Sequence, residues 1–211
     1  MNPWAYIAGI VGADAHLDLE ESTIYVASKD KKFLEEIVVP MIIKIARKPS
    51  VYWDKGASVY KAKMYSRAAW VKLFGEFGLV AGAKSQRLKP PINLSDEDVK
   101  WFIRGWFDGE GCIEKSRIRR RNAQYVYPRV GLKIKNEQLR DWIALHLKRL
   151  GVNCTCYKRS DQTFGIHING RSPCRSFMRT IGFLDSVKNE RLARVIEVCR
   201  GRVNPDSIGL R

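Results

Sequence analysis

The sequence contains an internal repeat, and this feature limits the possible folds more than any other. The segment YSRAAWVKLFGEFGLVAGAKSQR (65–87) aligns without a gap with NGRSPCRSFMRTIGFLDSVKNER (169–191). Earlier in each half, YIAGIVGADA (6–15) aligns with FIRGWFDGEG (102–111). Because the similar segments follow the same order in both halves, we expect one pseudo-symmetric molecule in which matching residues meet at a central axis.

Apolar periodicity predicts the same order of elements in both halves: helix, two strands, helix, two strands, helix. The predicted elements of the first half are 3–14, 15–20, 22–28, 31–47, 50–54, 58–65 and 67–77. Those of the second half are 96–110, 111–119, 125–134, 136–150, 153–160, 162–168 and 171–181, with a last helix at 188–199. Ser95 is a good N-cap before an acidic first turn.

The predicted fold class is therefore α+β, built from two pseudo-symmetric αββαββα repeats. We assign the N-terminal repeat to residues 1–83 and the C-terminal repeat to 96–200. Residues 84–95 form the predicted linker, because Pro90 and Pro91 are incompatible with a helix there. Residues 201–211 are predicted to be a loose tail.

The chain is strongly basic, with 38 Lys and Arg against 22 Asp and Glu in 211 residues, a net charge of +16. A charge of this size is typical of proteins that bind a polyanion, either nucleic acid or an anionic membrane surface. The basic residues follow strand-like alternations rather than one amphipathic helix, which favours nucleic acid over a membrane. The net charge is +5 over residues 1–94 and +11 over 95–211, so we expect two unlike half-sites.

No apolar run approaches the roughly 20 residues that span a bilayer, and no signal-peptide pattern is present. We therefore expect an intracellular protein with no membrane partner. The five cysteines are odd in number and include no C-x-x-C pair. This predicts neither a disulfide framework nor a zinc ribbon.

Two helices end in an acid after small and apolar residues: IAGIVGADA (7–15) and IRGWFDGEG (103–111). Both segments resemble the motif of the LAGLIDADG homing endonuclease family, and most closely its single-chain, two-motif members. The resemblance implies that each repeat is an antiparallel β-sheet saddle with helices on one face, packed through the motif helices. It also implies a monomer that acts as a pseudo-dimer on double-stranded DNA.

The activity implied by the resemblance is site-specific cleavage of both DNA strands with a divalent metal. The cut would cross the minor groove of a long asymmetric target and leave 3′ overhangs. An intron-encoded enzyme is preferred, because no intein-splicing blocks occur in the sequence. The alternative is a binder on the same fold that does not cleave, either an RNA maturase or a transcription factor.

Small residues lie one turn apart on each motif helix, at Gly9 and Ala13 and at Gly105 and Gly109. This spacing allows two helix backbones to approach closely. If these faces pack together, Asp14 and Glu110 end side by side, and paired carboxylates repel unless a cation lies between them. Mg²⁺, with Mn²⁺ or Ca²⁺ as substitutes, is the expected cation, because it takes oxygen ligands and assists phosphodiester cleavage.

By the same resemblance, the metal site comprises Asp14 and Glu110 with the preceding residues, Ala13 and Gly109. The basic residues that assist the reaction would be Lys84 and Lys188, which align with each other after the third helix of each repeat. They would neutralise a phosphate or hold the attacking water. The motif's final glycine is kept as Gly111 but replaced by Ala15, which resists a left-handed backbone. The two cleavage centres are therefore expected to differ.

Strand alternation predicts which residues face DNA, because a β-ribbon fits the major groove and its exposed side chains can read base edges. The run at 117–121 is predicted to clamp phosphates or to read a DNA groove at the hairpin tip, and a nuclear-localisation signal is the weaker alternative. The predicted DNA-binding residues are Thr23, Tyr25, Lys29, Lys61, Lys63, Tyr65, Arg117, Arg119, Arg121, Tyr125, Tyr127, Arg129, Lys133, Lys135, Tyr157, Arg159, His167 and Asn169.

Overall fold

The computed structural model describes residues 1–18, 21–80, 87–120, 123–199 and 201–203. At 14–17, 118–120, 123–124 and 201–203 the backbone alone is described. None of the helices in these ranges is both long and apolar enough to cross a bilayer.

The described elements follow the predicted order. Those of the first repeat are α1 (Pro3–Asp14), β1 (Ala15–Leu17), β2 (Thr23–Ser28), α2 (Lys31–Phe33), a π-helical segment (Leu34–Val38), α3 (Val39–Ile43), β3 (Ser50–Asp54), β4 (Val59–Tyr65) and α4 (Arg67–Phe77). Those of the second repeat are α5 (Asp96–Glu110), β5 (Cys112–Arg120), β6 (Ala123–Ile134), α6 (Glu137–Arg149), β7 (Thr155–Lys158), β8 (Phe164–Asn169), α7 (Arg171–Thr180), α8 (Ser186–Val198) and β9 (Gly201–Val203).

Two antiparallel sheets carry the same strand order. The first sheet runs β1-β2-β4-β3 and the second β5-β6-β8-β7. In the first sheet β2 pairs with β4, and in the second β6 pairs with β8, so the repeat visible in the sequence is also a repeat of topology. This confirms the predicted α+β fold class.

Two predictions from the sequence need correction. The helix expected at 31–47 ends at Ile43, and its middle turn is π-helical. Pro40 lacks the N–H that a regular helix would use at this point, and a wider turn precedes it. The loose tail is also wrong for 201–203, because β9 pairs with β6 through Gly201 and Val126.

The two motif helices form the centre of the core. Side chains of α1 from Ala5 to Val11 are fully or almost fully buried, which explains why this segment is apolar on every face. The first turn of α5 is instead acidic, and Ser95 caps it by accepting a hydrogen bond from Asp98 N at 3.2 Å, as the sequence predicts. The start of α5 is therefore at the surface, while its later turns enter the core.

Candidate nucleic-acid interface and cleavage site

The motif helices α1 and α5 are parallel and lie in backbone contact. A Cβ atom at Gly9 would lie 2.1 Å from the Phe102 carbonyl oxygen, and one at Gly105 would lie 2.2 Å from that of Tyr6. Further along, a Cβ at Gly12 would lie 2.9 Å from the Trp106 ring. The contacts advance in the same direction on both helices, so the C-terminal ends of α1 and α5 lie at the same end of the pair.

A cleft of about 270 Å³ opens at this end. Its lining includes Ala13 from α1, Glu110 from α5, Lys133 from β6 and Lys135, which directly follows that strand. Glu110 is exposed, and α1 ends at Asp14, whose side chain lies outside the described set. The cleft thus brings a motif carboxylate together with two of the cations predicted to face DNA.

The donors at the cleft suit a hard divalent cation. Mg²⁺ in proteins commonly uses one or two carboxylates and takes its remaining ligands from water and substrate phosphates. Glu110 supplies one carboxylate, and the backbone places Asp14 at the matching end of α1. Among the described side chains, no cluster of three or more His, Cys, Asp or Glu residues gathers, so a protein-only metal cage is absent from that part of the chain.

Lys188 lies under the end of the second motif helix. Its Nζ donates hydrogen bonds to the carbonyl oxygens of Phe107, Asp108 and Gly109, at 3.2, 2.5 and 3.4 Å. Burial lowers the pKa of this amine, while the carboxylates of Asp108, Asp185 and Glu110 act in the opposite direction. The lysine therefore caps the last turn of α5 directly before Glu110. Its counterpart, Lys84, lies outside the described residues.

Asp108 joins the two repeats through a buried hydrogen-bond network. Its carboxylate accepts from Tyr6 Oη at 2.8 Å, and from the backbone N–H groups of Leu184 and Asp185 at 3.1 and 3.3 Å. Burial raises the pKa of Asp108 to about 6, and these donors partly offset that rise. Asp185 in turn caps α8 by accepting from Lys188 N at 3.1 Å. The network therefore fixes the helix that carries Lys188.

The first motif lacks this network. Gly12 occupies the position that matches Asp108, and it faces Trp106 of the other helix. The indole Nε1 of Trp106 is buried and has no hydrogen-bond acceptor among the described residues. The C-terminal ends of α1 and α5 therefore have different surroundings.

Gly111 corrects an expectation about the motif's last residue. Its φ is −68°, in the extended region, so the left-handed backbone considered for this position is wrong for Gly111. A Cβ atom there would lie 2.3 Å from the Phe107 carbonyl oxygen. Glycine is required at this position by the close approach of the preceding helical turn.

The strand faces place most predicted DNA-binding residues on one side of each sheet. Tyr25 pairs with Lys63 in the first sheet, and Arg129 pairs with Asn169 in the second. The exposed or half-exposed members of the set are Tyr25, Lys29, Lys61, Lys63, Tyr65, Arg117, Tyr125, Tyr127, Arg129, Lys133, Lys135, Tyr157, Arg159, His167 and Asn169. Arg121 and the side chain of Arg119 lie outside the description.

Thr23 does not belong on this surface. It is only 1% exposed: at the first position of β2 it pairs with Tyr65, and Asp18 N donates to its carbonyl oxygen at 2.9 Å. The predicted set omitted two residues of β3 that do belong. The register places Ser50 beside Lys63 and Tyr52 beside Lys61. The same period-two alternation in SVYWD was the signal that could have identified them.

Most cations of the strand faces are held by acids. Lys61 pairs with Asp54 at 2.5 Å, and Lys63 pairs with Glu21 at 2.9 Å. In the second sheet the pairs are Arg129 with Glu114 at 3.8 Å, Lys133 with Asp161 at 3.1 Å and Arg159 with Asp161 at 3.7 Å. These pairs orient the long basic side chains across the sheets.

Residues 97–182 match the family model described as a LAGLIDADG-like domain. I-DmoI in complex with DNA and Ca has a similar fold, with a TM-score of 0.65, 16% identity, and coverage of 92% of this chain and 97% of that one. A mutant of I-SmaMI gives 0.64 at 11% identity, covering 94% and 92%. Full-length DUF199/WhiA from Thermatoga maritima gives 0.60 at 16%, covering 93% of this chain and 60% of that chain.

No curated protein matches the sequence. The family match and the shared two-repeat fold together confirm the resemblance to the LAGLIDADG family. The roles assigned to individual residues stay predictions.

Proposed function

From the LAGLIDADG-like domain and the two-repeat fold, we propose that this chain is a metal-dependent DNA endonuclease that cuts both strands of a long asymmetric target. The observation that carries the proposal is the cleft where the motif helices end, which is lined by Glu110, Lys133 and Lys135. Structures of I-DmoI, which has a similar fold, are complexes with DNA and Mn, with DNA and Ca, and with target DNA in the presence of Mg. The enzyme would act as a monomer on DNA inside the cell.

The two sheets would hold the duplex along their exposed strand faces. Phosphates attract the basic side chains, and DNA binding would exchange the acid partners of Lys61, Lys63 and Arg129 for phosphate oxygens. The C-terminal end of the helix pair would then lie between the two sheets, against the sugar-phosphate backbone of the DNA. The larger net charge of the second repeat predicts a stronger grip on its half-site.

At the cleft, Asp14 and Glu110 would hold the divalent cation, with Ala13 and Gly109 beside them. When bound, the cation supplies activation of water and stabilisation of the departing oxygen. Lys188 keeps the last turn of α5 formed, and this sets the position of Glu110 relative to Gly109. Lys133 and Lys135, which line the cleft, would neutralise the phosphate at the second centre. The 3′ overhangs and the intron-encoded origin are part of the same proposal.

The test is cleavage of a DNA duplex spanning the chain's own insertion site, in Mg²⁺ and in EDTA. We expect double-strand cutting in Mg²⁺ alone, and loss of cutting with retained DNA binding in Asp14→Asn and Glu110→Gln. Glu76→Gln, at an exposed position of α4, is the matched control and should cut like the wild type. Full nicking activity in both motif variants would refute the assigned roles.

The alternative is nucleic-acid binding without cleavage, as an RNA maturase or a transcription factor. It draws on the fold shared with DUF199/WhiA, over 93% of this chain. Specific, metal-independent binding with no cutting of the intact site would establish this alternative.

A further inference from the structure

The β5–β6 hairpin of the second repeat extends beyond the sheet to which it belongs. Strand β6 has 12 residues, and β8 pairs with it only from Arg129 to Ile134. Strand β5, in contrast, pairs with β6 from Gly131 as far as Ala123. The part of the hairpin at 115–120 and 123–128 therefore projects past β8. We call this part the hairpin arm.

The first repeat has no such extension within its described residues. There β4 pairs with β2 at every position from Thr23 to Ser28, and β1 has only 3 residues. A ribbon of two strands is at best marginally stable in water, whereas a third strand or a packed helix makes it stable. The hairpin arm, unlike β1 and β2, therefore needs support from another part of the chain.

The C-terminal strand β9 supplies this third strand. It pairs antiparallel with β6 over Gln124–Val126, on the edge that β8 occupies further along, since β5 occupies the other edge. Pro128 lies where β8 is replaced by β9. Its carbonyl oxygen accepts from Gly170 N at 2.8 Å, and proline has no N–H to give to a ladder. One edge of β6 is thus covered first by β8 and then, after a break at 127–128, by β9.

Helix α8 determines the point from which β9 reaches the hairpin arm. The helix ends at Val198 and β9 begins at Gly201. Near the helix end, the Ile196 carbonyl oxygen accepts from Arg171 Nε at 3.1 Å, and Cys199 is only 2% exposed. These contacts fix the last turn of α8 against α7 and the core. The chain therefore leaves the core at a defined position next to the arm.

We propose that β9 is a positioning strand, which holds the hairpin arm as a three-stranded extension of the second sheet and so extends the contact with DNA at one end of the target. This inference rests on the proposed DNA binding. Arg117 is exposed on the arm, and Tyr125 and Tyr127 are half-exposed; all three belong to the predicted DNA-binding set. They act on DNA only where the arm is ordered, and β9 supplies that order through its backbone.

The length and direction of the arm give the size of the effect. Strand β5 begins at Cys112, directly after the motif helix, and the arm is at its far end. The arm therefore points away from the cleft at Glu110 and towards the outer end of the second half-site. Residues 123–128 at about 3.3 Å each span about 20 Å, which corresponds to about six base pairs of DNA.

The test compares two double variants of the full chain with the same loss of charge, R202P/V203P and R202A/V203A. Alternate residues of an antiparallel strand bond to its partner, so one of two consecutive prolines removes an N–H from the β6–β9 ladder. The alanine variant changes the same two side chains and keeps both N–H groups, which makes it the control. Urea unfolding checks that both variants keep the wild-type midpoint.

Hydrogen exchange of the free protein measures the support that β9 gives. In R202P/V203P the amides of the hairpin arm should exchange roughly tenfold faster than in the wild type, because opening the arm no longer requires breaking the third strand. The amides of α5 should keep their wild-type rates. R202A/V203A should exchange like the wild type in both places. Equal exchange of the arm in the proline and alanine variants would overturn the role of β9.

DNA binding is measured on a duplex spanning the chain's own insertion site and on two duplexes shortened by about six base pairs, one at each end. At one end, shortening should weaken wild-type binding about tenfold and lower the slope of log affinity against log salt by about 1–2, at about 0.9 per phosphate contact. R202P/V203P should bind the full duplex about as weakly as the wild type binds that shortened one, and should lose nothing further on shortening. At the other end, the loss should be the same in all three proteins.

Nicking separates positioning from a general defect. At saturating DNA, R202P/V203P should nick as fast as the wild type, because no residue of the hairpin arm is among the described residues that line the cleft at Glu110. Equal losses in the wild type and R202P/V203P at both ends of the duplex would overturn the inference, as would slower nicking with unchanged affinity. Either result leaves the endonuclease proposal standing. Binding without cutting by the wild type would refute that proposal and leave this comparison valid, whereas a wild type that binds no duplex would overturn both.

Discussion

Removing the hydrogen bond between Tyr6 and Asp108 is the perturbation that best tests how the two repeats are joined. Tyr6 is 0% exposed and Asp108 is 3% exposed, so water cannot replace the lost partner without opening the core. The Asp108 carboxylate has three donors within 2.8 to 3.3 Å, and Tyr6→Phe removes one of them. A buried hydrogen bond to a charged group contributes about 1.5–3 kcal/mol.

We therefore expect Tyr6→Phe to lower the free energy of unfolding by about 2 kcal/mol. For a chain of this size, the corresponding fall in Tm is about 4–8 °C. Asp108→Ala should cost more, about 3–5 kcal/mol, because it leaves three buried donors without an acceptor. Tyr60→Phe is the matched control: its half-buried ring packs on Trp53, and no hydrogen bond of its hydroxyl occurs within the described ranges. It should change stability by less than about 0.5 kcal/mol.

The measurement is urea unfolding followed by circular dichroism and by tryptophan fluorescence, with the slope of each transition compared. A double-mutant cycle with Asp108→Asn should give a coupling energy of about 1–3 kcal/mol between residues 6 and 108. In a cleavage assay, Tyr6→Phe should slow nicking at the Glu110 centre more than at the Asp14 centre, because the network positions Lys188. A stability loss no larger than that of Tyr60→Phe would refute the reasoning.

Four further substitutions test other contacts. Gly105→Ala should cost about 3 kcal/mol or prevent folding, since the added Cβ would lie 2.2 Å from a backbone oxygen. Gly75→Ala in α4, where no atom lies within 4 Å of the added Cβ, should stabilise the protein by about 0.5–1 kcal/mol. Urea midpoints equal to that of the wild type in both variants would contradict both expectations. Lys188→Met should remove a cationic cap worth about 1–2 kcal/mol and slow one strand's cleavage in a nicking assay that resolves both strands. Asp161→Asn should free its two basic partners for phosphate, so that anisotropy titrations show tighter DNA binding and a steeper salt dependence; an unchanged slope would count against the strand face.

The repeat made the order of helices and strands predictable, because the pattern found in one half could be checked against the aligned pattern in the other. Strand alternation likewise identified the exposed face of β6, where Lys133 and Lys135 are exposed and Leu132 and Ile134 are buried. The wrong predictions concern residues whose burial or pairing depends on a segment elsewhere in the chain. Thr23 has the right parity for the exposed face but is buried, and its carbonyl oxygen accepts a hydrogen bond from Asp18 N. Strand β9 has only three residues, too few for a periodic signal.

A difference between the two motifs was expected from Ala15, but the contacts that make the two helix ends unequal could not be predicted, because each depends on a side chain from the other repeat. Alignment shows that Gly12 matches Asp108, but it does not show that Tyr6 reaches Asp108 or that Trp106 covers Gly12. These contacts depend on the packing distance between α1 and α5, which the glycines set. Sequence similarity identifies equivalent positions, whereas contacts between the repeats require the packed structure.

The acid at the end of each motif helix has a physical cost, because the helix dipole disfavours negative charge at a C-terminus. In the second motif, Lys188 offsets that cost by placing its ammonium on the carbonyl groups that precede Glu110. The same contact lets one lysine stabilise the helix end and lie beside the expected metal ligands. Because Lys84 aligns with Lys188, the first motif is predicted to use the same solution for Asp14. If so, Lys84→Met should slow cleavage of the strand opposite to the one that Lys188→Met affects.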